Sequence, residues 1–186
     1  MRFPIRLLLS LSLLAGAVSG PLSAHAQALP WKFGMTPDEV RAVSQYAPYK
    51  TFSNGDLETY KGVLDGREEN FQFFFRQGAL RRIGVYLYEG TDASLGARKW
   101  LGLARYIERT FGAVETPGNT PPSGADESSD TAFVARAREI VGSTGKTQMA
   151  PMTQPKDAFV FSSFGSGDVQ GERWYFVVLY FDAPSS

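Results

Sequence analysis

The fold is decided by residues 57–88, which read LETYKGVLDGREENFQFFFRQGALRRIGVYLY. Asp65-Gly66 is a favoured two-residue hairpin turn, and Gly78 suits the left-handed position of a second short turn. Around these turns, aromatic and β-branched residues alternate with polar ones, which is the pattern of half-buried strands. The stretch therefore predicts an antiparallel meander of three strands, over residues 57–64, 67–75 and 79–88.

Strand alternation gives this meander two faces of different character. One face is apolar and is predicted to be core, and it carries Phe71, Phe73, Phe75, Ile83, Val85 and Leu87. The other face combines aromatic rings with arginine, the composition of interface hot spots, and its predicted binding residues are Phe74, Arg82, Tyr86 and Tyr88. Two alternatives stay open for this second face. Either a helix covers it, as the apolar face of a sheet generally requires, or it is exposed and binds a protein or a glycan.

Helices are predicted before and after the meander along the chain. Thr36-Pro37-Asp38-Glu39 combines an N-cap, a proline at the first helical position and a capping-box glutamate, and Pro48 ends that helix. Residues 95–111 carry apolar side chains at helical spacing and are followed by Gly112, a candidate C-cap. Residues 131–141 fit a helical stripe better than strand alternation and predict a third helix.

The remaining segments complete a chain of the α+β class. Residues 116–130 are rich in proline, glycine and serine and predict a flexible loop. Residues 158–164 and 173–181 predict two more strands joined by a glycine-rich segment, and the second is apolar enough for a central strand covered on both faces. The order α-β-β-β-α-α-β-β predicts an α+β fold of antiparallel strands with helices on one face, in which residues 27–115 and 131–186 pack as one domain. The sequence leaves open whether the strands form one sheet or two tandem helix-plus-sheet units.

The N-terminus is typical of a signal peptide. Arg2 and Arg6 flank the start of the chain, residues 7–18 form an apolar run, and Ala24-His25-Ala26 matches an A-x-A cleavage pattern. The apolar run is shorter than the ~20 residues that span a bilayer. Residues 1–26 are therefore predicted to be removed by cleavage after Ala26, and the mature chain is expected to be periplasmic or secreted, without stable membrane insertion.

Composition excludes several classes of function. The 186 residues carry 19 basic and 19 acidic side chains, so nothing favours nucleic acid, which selects clearly basic domains. There is no cysteine, and the single histidine, His25, leaves with the predicted signal peptide. A mature chain without histidine or cysteine holds no Ser-His-Asp triad, no Cys-His pair and no imidazole or thiolate metal site. We therefore expect no catalytic residue, no metal and no cofactor.

Three further patterns have both a functional and an ordinary interpretation. Residues 142–147, GSTGKT, imitate a phosphate-binding loop, but Ile140 stands where the motif needs glycine. Glu58, Glu69 and Glu89 are candidates for the carboxylates of a glycan hydrolase, although acids at strand ends commonly protect sheet edges. The second predicted helix presents a basic stripe, which is either a solvated face or an anion-binding surface. This stripe consists of Arg98, Arg105 and Arg109.

The segment Gly34-Met35-Thr36-x-x-Glu39-Val40, followed by Pro48 and the aromatic meander, resembles the SmpA/OmlA family of envelope proteins. Members of that family are small outer-membrane-assembly lipoproteins, and their fold is similar to one unit of the β-lactamase-inhibitor proteins, which carry two helix-plus-sheet units in tandem. The resemblance covers roughly a third of the mature chain. This chain lacks the lipid-bearing cysteine of the family and continues well past the meander. The resemblance implies a helix-plus-sheet fold and carries over no catalytic residue.

Together these observations predict an exported α+β protein that binds and does not catalyse. The expected partner is an envelope or secreted protein or enzyme, engaged through the second face of the meander. Two alternatives remain open: a carboxylate-dependent hydrolase of cell-wall glycan, and a carrier of a small apolar ligand held between helix and sheet.

Overall fold

An eight-stranded antiparallel sheet with helices on one face organises the chain. The computed structural model describes residues 29–122 and 126–184, so the predicted signal peptide lies outside the described residues. The elements are, in chain order, α1 (Pro37–Arg41), a 3-10 turn (Ser44–Tyr46), β1 (Lys50–Thr51), β2 (Leu57–Leu64), β3 (Arg67–Arg76), β4 (Ala79–Gly90), α2 (Ala93–Phe111), β5 (Val114–Glu115), α3 (Glu127–Thr144), β6 (Lys146–Pro151), β7 (Phe159–Val169) and β8 (Glu172–Asp182). The predicted α+β class is confirmed.

The strands lie in the order β1-β2-β3-β4-β8-β7-β6-β5. A first half, β1 to β4, and a second half, β5 to β8, meet where β4 pairs with β8. The question that the sequence left open is thereby answered, because both halves belong to one continuous sheet.

The meander has the predicted strands and turns. β2 pairs with β3 and β3 with β4, which places Leu57 opposite Phe73 and Phe71 opposite Val85. Both hairpin turns use left-handed backbone, with Gly66 at φ 75° and Gly78 at φ 76°. Glycine adopts this conformation without the steric cost that a Cβ would bring.

The core lies between the sheet and the helices α2 and α3. The Trp100 ring of α2 lies 6.1 Å from the ring of Phe164, and both side chains are fully buried. α3 packs against α2 through a stripe that includes Phe133 and Ala137, and Arg105 pairs with Asp130 between the two helices at 2.6 Å. Within the described ranges, no helix is both long enough and apolar enough to cross a membrane.

The predicted capping box at Thr36 is present. The Glu39 amide donates to the Thr36 hydroxyl at 3.3 Å, and the Thr36 amide donates to the Glu39 carboxylate at 2.7 Å. The helix is shorter than predicted, because it gives way after Arg41 to a 3-10 turn well before Pro48. The core beneath β3 is still covered here, because the Trp31 ring, just before α1, lies 4.7 Å from the Phe73 ring.

The second half of the chain departs from the sequence prediction in three places. α3 begins at Glu127, inside the predicted loop 116–130, because Asp126 caps it by accepting from the Ser129 amide. β6 occupies residues predicted to be irregular, and β7 continues through the glycine-rich segment to Val169. Strand pairing along these segments overrides their weak local propensity.

The GSTGKT sequence lies at the junction of α3 and β6. Gly145, at φ 79°, is the C-cap of α3, and β6 starts at Lys146. A phosphate-binding loop runs from a strand into a helix N-terminus, so this helix-to-strand junction has the opposite order. The ordinary interpretation, a turn between two elements, is the one that the geometry supports.

Gly62 is required by packing at a bulge of β2. The register between β2 and β3 shifts between Thr59 and Gly62, and a Cβ built at Gly62 would overlap the buried ring of Phe71. We expect Gly62→Ala to lower the free energy of unfolding by about 1–3 kcal/mol, the usual cost of overpacking a core. Urea denaturation followed by circular dichroism measures this change.

Gly167→Ala in β7 is the matched control. A Cβ at Gly167 would meet only the Phe176 ring, at an ordinary contact distance of 3.9 Å, so its effect should stay within about 0.5 kcal/mol. Equal stabilities of the two variants would contradict the packing assigned to Gly62.

Candidate functional site

One face of the central strands is not covered by the helices. Alternate residues of β3, β4, β7 and β8 point away from α2 and α3, and the aromatic ones among them are half-buried and lie outside the main core cluster. We call this surface the open face, and its central residues are Phe74, Arg82, Tyr86, Phe161, Val178, Tyr180 and Asp182. The sequence left open whether a helix covers this face. In the structure α2 packs on the opposite side, against residues such as Phe164.

Arg82 is held in place on the open face, at the end of the ladder where β4 begins to pair with β8. Its guanidinium donates two hydrogen bonds to Asp182, from Nε at 2.6 Å and from Nη2 at 2.7 Å. The same group lies 5.5 Å from the Phe161 ring and 5.0 Å from the Tyr180 ring, within cation–π range. The two rings stack on each other at 4.9 Å. A bidentate pair on stacked rings presents a guanidinium of fixed orientation, so little side-chain entropy is left to lose on binding.

Three rings converge over Gly84, next to Arg82. A Cβ at Gly84 would lie 3.2 Å from the Phe74 ring, 3.3 Å from the Tyr180 ring and 3.4 Å from the Tyr86 ring. The glycine therefore allows the rings to approach the backbone closely. Aromatic side chains themselves cover this part of the sheet. The open face is therefore half-buried although none of the described helices packs on it.

Tyr86 and Tyr180 lie side by side on this face, where both rings approach Gly84. Burial, followed by the neighbouring Tyr180, raises the pKa of Tyr86 far above its ordinary value. Burial also raises the pKa of Tyr180, against the lowering effects of Tyr86 and of Arg82. Both phenols thus remain neutral at physiological pH.

A polar region borders the open face at β2 and β3. Glu58 is only 3% exposed and lies 3.0 Å from Lys50 Nζ, while Asn70 donates to Glu89 at 3.2 Å. Tyr60 lies near both glutamates, and its pKa is raised by burial first and then by the charges of Glu58 and Glu89.

The third candidate glutamate, Glu69, lies elsewhere. It lines a groove beside α2, and burial raises its pKa although Lys99 and Arg67 lower it. The three glutamates that the sequence suggested as a hydrolytic set are therefore divided between two faces of the sheet. Within residues 29–122 and 126–184, no group of three or more acidic side chains is arranged to hold a metal ion.

Two clefts flank the open face. At the β5–β7 side, a cleft of about 370 Å³ is lined mainly by apolar atoms of Phe159, Phe161, Met149 and Ala150. Phe159 is 48% exposed, and its ring lies 5.7 Å from the Phe161 ring. At the opposite end, a cleft of about 600 Å³ lies beside Phe74 and Arg82. The open face is thus a shaped surface with an exposed apolar margin.

The predicted binding residues Phe74, Arg82 and Tyr86 lie together on the open face, but the placement of Tyr88 beside them is wrong. A bulge between Tyr86 and Tyr88 sets Tyr86 opposite Val178 and Tyr88 opposite Val177, one residue out of strict alternation. An extra residue in one strand reverses the face of those that follow. Tyr88 therefore packs on the helix side, where its ring lies beside Gly96 and its hydroxyl accepts from the Asp92 amide at 2.9 Å.

The sequence prediction missed the half of the open face that comes from β7 and β8. Phe161 and Tyr180 fall in the predicted strands 158–164 and 173–181, and Asp182 lies one residue beyond the second, which was predicted to be covered on both faces. β8 is central, as predicted, yet Trp174, Phe176 and Tyr180 remain half-buried on the open side. Residues 174–181 are apolar at every position, so the sequence of β8 held no alternation that could have distinguished the open side.

Because of the phenol pair, the free energy of unfolding depends on pH in the alkaline range. Because the folded state raises the pKa of both hydroxyls, their contribution is complete below the ordinary tyrosine pKa near 10 and is lost as pH rises above it. We expect the free energy of unfolding to be level to about pH 9 and to fall above about pH 10. Tyr86→Phe keeps the ring over Gly84 and removes one phenol, so its decline should be shallower.

Urea denaturation at several pH values between neutrality and the alkaline range checks this. Tyr175→Phe is the control, because the Tyr175 ring lies 6.3 Å from the Phe164 ring on the helix side and outside the pair. Identical pH profiles for Tyr86→Phe and the unmodified protein would contradict the burial assigned to the Tyr86 phenol.

The comparisons with known proteins leave the site to be argued from its own geometry. No protein-family model matches the chain, and neither a curated protein nor a solved structure shows significant similarity to it.

Proposed function

We propose that this protein is an exported, non-catalytic binding protein whose open face engages a protein of the cell envelope. The observation that carries the proposal is the uncovered face of the central strands, where Arg82, fixed by Asp182, lies over the rings of Phe161 and Tyr180. Tyrosine, other aromatics and arginine are the residue types that dominate binding energy at protein interfaces. Export and an envelope location rest on the signal-peptide pattern of residues 1–26.

The physical state of the open face supports a protein partner. Its rings are already packed against one another, and its arginine is already paired, so the surface is organised before any partner arrives. Rigid aromatic and guanidinium groups lose little conformational entropy when a partner covers them. The exposed ring of Phe159 and the apolar cleft beside it extend the same surface.

The resemblance to SmpA/OmlA and to the β-lactamase-inhibitor proteins is part of this proposal. Its support is the arrangement of two halves: α1 with β1 to β4, and the later helices with β5 to β8, joined in one sheet. Two tandem helix-plus-sheet units are what the resemblance implies. On this basis the partner is an envelope protein or enzyme that the chain assists or inhibits.

The hydrolase alternative has less support from the geometry. Glu69 is separated from Glu58 and Glu89 by the sheet, and Glu58 has Lys50 within 3.0 Å. Carboxylate catalysis of glycan hydrolysis needs two acids that face one cleft. Release of sugar fragments from purified peptidoglycan by the unmodified protein would nevertheless overturn the non-catalytic proposal.

A charge placed in the middle of the open face should block the partner. Ser163 lies opposite Val178 on this face, so Ser163→Arg adds a long cation between the aromatic rings without removing a core side chain. We expect Ser163→Arg to reduce capture of one specific envelope protein by roughly tenfold or more, the effect of disturbing an interface hot spot. Affinity capture from an envelope extract, quantified by mass spectrometry, measures this, and binding is then repeated with the purified partner.

Ser143→Arg on α3 is the matched control, because Ser143 is exposed on the helix side of the molecule. It should leave capture unchanged, and both variants should retain the thermal stability of the unmodified protein. If the captured proteins are the same in amount for Ser163→Arg and Ser143→Arg, the open face is not the binding surface.

A further inference from the structure

A groove runs between α2 and the hairpin that joins β2 to β3, on the helix side of the sheet. Its volume is about 390 Å³, within the range of sites for small ligands. The open face lies on the other side of the sheet, so this groove is independent of the proposed partner surface.

The floor of the groove is apolar. Leu64 and Leu103 are buried, Leu87 is half-buried, and Leu95 is exposed at the groove margin. Leu64 comes from β2, Leu87 from β4 and the other two from α2, so the floor bridges the helix and the sheet. Leu64 and Leu103 form the buried base of the floor, and Leu87 and Leu95 provide the apolar surface that an aliphatic ligand can cover.

The rim of the groove is basic. It holds five basic and two acidic side chains: Arg67, Arg98, Lys99, Arg105 and Arg109, with Asp65 and Glu69. This set includes all three arginines of the basic stripe that the sequence suggested. The excess of positive charge over a partly dehydrated apolar floor favours an anionic ligand.

Part of the rim charge is already neutralised, and part is not. Arg109 pairs with Asp65 at 2.8 Å, which ties α2 to the β2–β3 turn, and Arg105 pairs with Asp130. Arg67, Arg98 and Lys99 form no ion pair with the described residues. Arg67 and Lys99 line the groove together with Glu69, where burial raises the pKa of the Glu69 carboxyl against the lowering effect of these two charges.

Gly102 lines the groove in the middle of α2. A glycine inside a helix is destabilising relative to alanine, yet a Cβ at Gly102 would have no heavy atom of the described residues within 4 Å. Close packing therefore does not explain the glycine. Its missing side chain leaves the space above the leucine floor open.

We propose that this groove binds a single-chain anionic amphiphile of the fatty-acid class. The aliphatic chain lies on the leucine floor, and the carboxylate is held by Arg67, Arg98 and Lys99 at the rim. The small volume fits one chain better than a segment of a protein, and the unpaired cations select a negative head group. This inference does not rest on the proposed partner binding at the open face.

Titration calorimetry with dodecanoate, below its micelle concentration, tests the proposal. We expect saturable binding of one dodecanoate per chain, with an affinity at least roughly tenfold higher than that of dodecyltrimethylammonium, because the cationic head is repelled by the rim. Gly102→Trp fills the space above the floor, and Arg98→Glu combined with Lys99→Glu reverses the rim charge. Each change should weaken dodecanoate binding by roughly tenfold or more.

Matched variants separate the groove from the rest of the molecule. Gly142→Trp places the same ring at an exposed glycine of α3 that also has open space around its Cβ, and Lys156→Glu reverses an exposed charge outside the groove. Both should bind dodecanoate as the unmodified protein does, as should Ser163→Arg on the open face. Absence of dodecanoate binding, equal binding of the cationic amphiphile, or loss of binding in Ser163→Arg would each overturn the proposal. Preferential binding of a tetraglutamate peptide over dodecanoate would do the same.

Discussion

The pairing of β4 with β8 is the interaction on which the rest of the molecule depends. It joins the two halves of the chain by a ladder that runs from Arg82 opposite Asp182 to Gly90 opposite Tyr175. On the helix side this ladder places Val85 opposite Leu179, so the cores under the two halves become one. On the other side it brings Arg82 to Asp182 and Gly84 to Tyr180. Without this pairing there would be neither a continuous core nor an open face.

The two faces of the sheet are stabilised by different means. The helix side is buried under α2 and α3 in the ordinary way of an α+β protein, with Trp100 and Phe164 at its centre. The open side is covered by its own aromatic rings, which lean over Gly84 and over the guanidinium of Arg82. That arrangement buries the apolar surface of this face only in part, because the rings stay half-exposed. A surface of this kind is stable in the free protein and still gains from burial against a partner.

The bulge of β4 decides which aromatic residues belong to which face. The extra residue at the bulge turns Tyr88 to the helix side. There the Tyr88 hydroxyl accepts a hydrogen bond from the Asp92 amide at the start of α2. Tyr86, two residues earlier, remains on the open face and lies beside Tyr180 over Gly84. The same local irregularity therefore positions α2 on one side and completes the tyrosine pair on the other.

Elements whose signals are local follow from the sequence alone. The capping box at Thr36, the Asp65-Gly66 turn and the alternation of Phe71 and Phe73 depend on residues close in the chain, and each appears in the structure as predicted. Short-range geometry and the two-residue period of a strand suffice for these features.

How these elements combine depends on contacts between residues far apart in the chain. The contact of Arg82 with Asp182 spans 100 residues of chain, and no local pattern specifies which strand lies beside β4. The bulge between Tyr86 and Tyr88 likewise depends on the partner strand, since register is set by the pairing of two strands and not by one of them. Two further features depend on the packing of the helices on one face of the sheet. They are the separation of Glu69 from Glu58 and Glu89, and the groove between α2 and the β2–β3 hairpin.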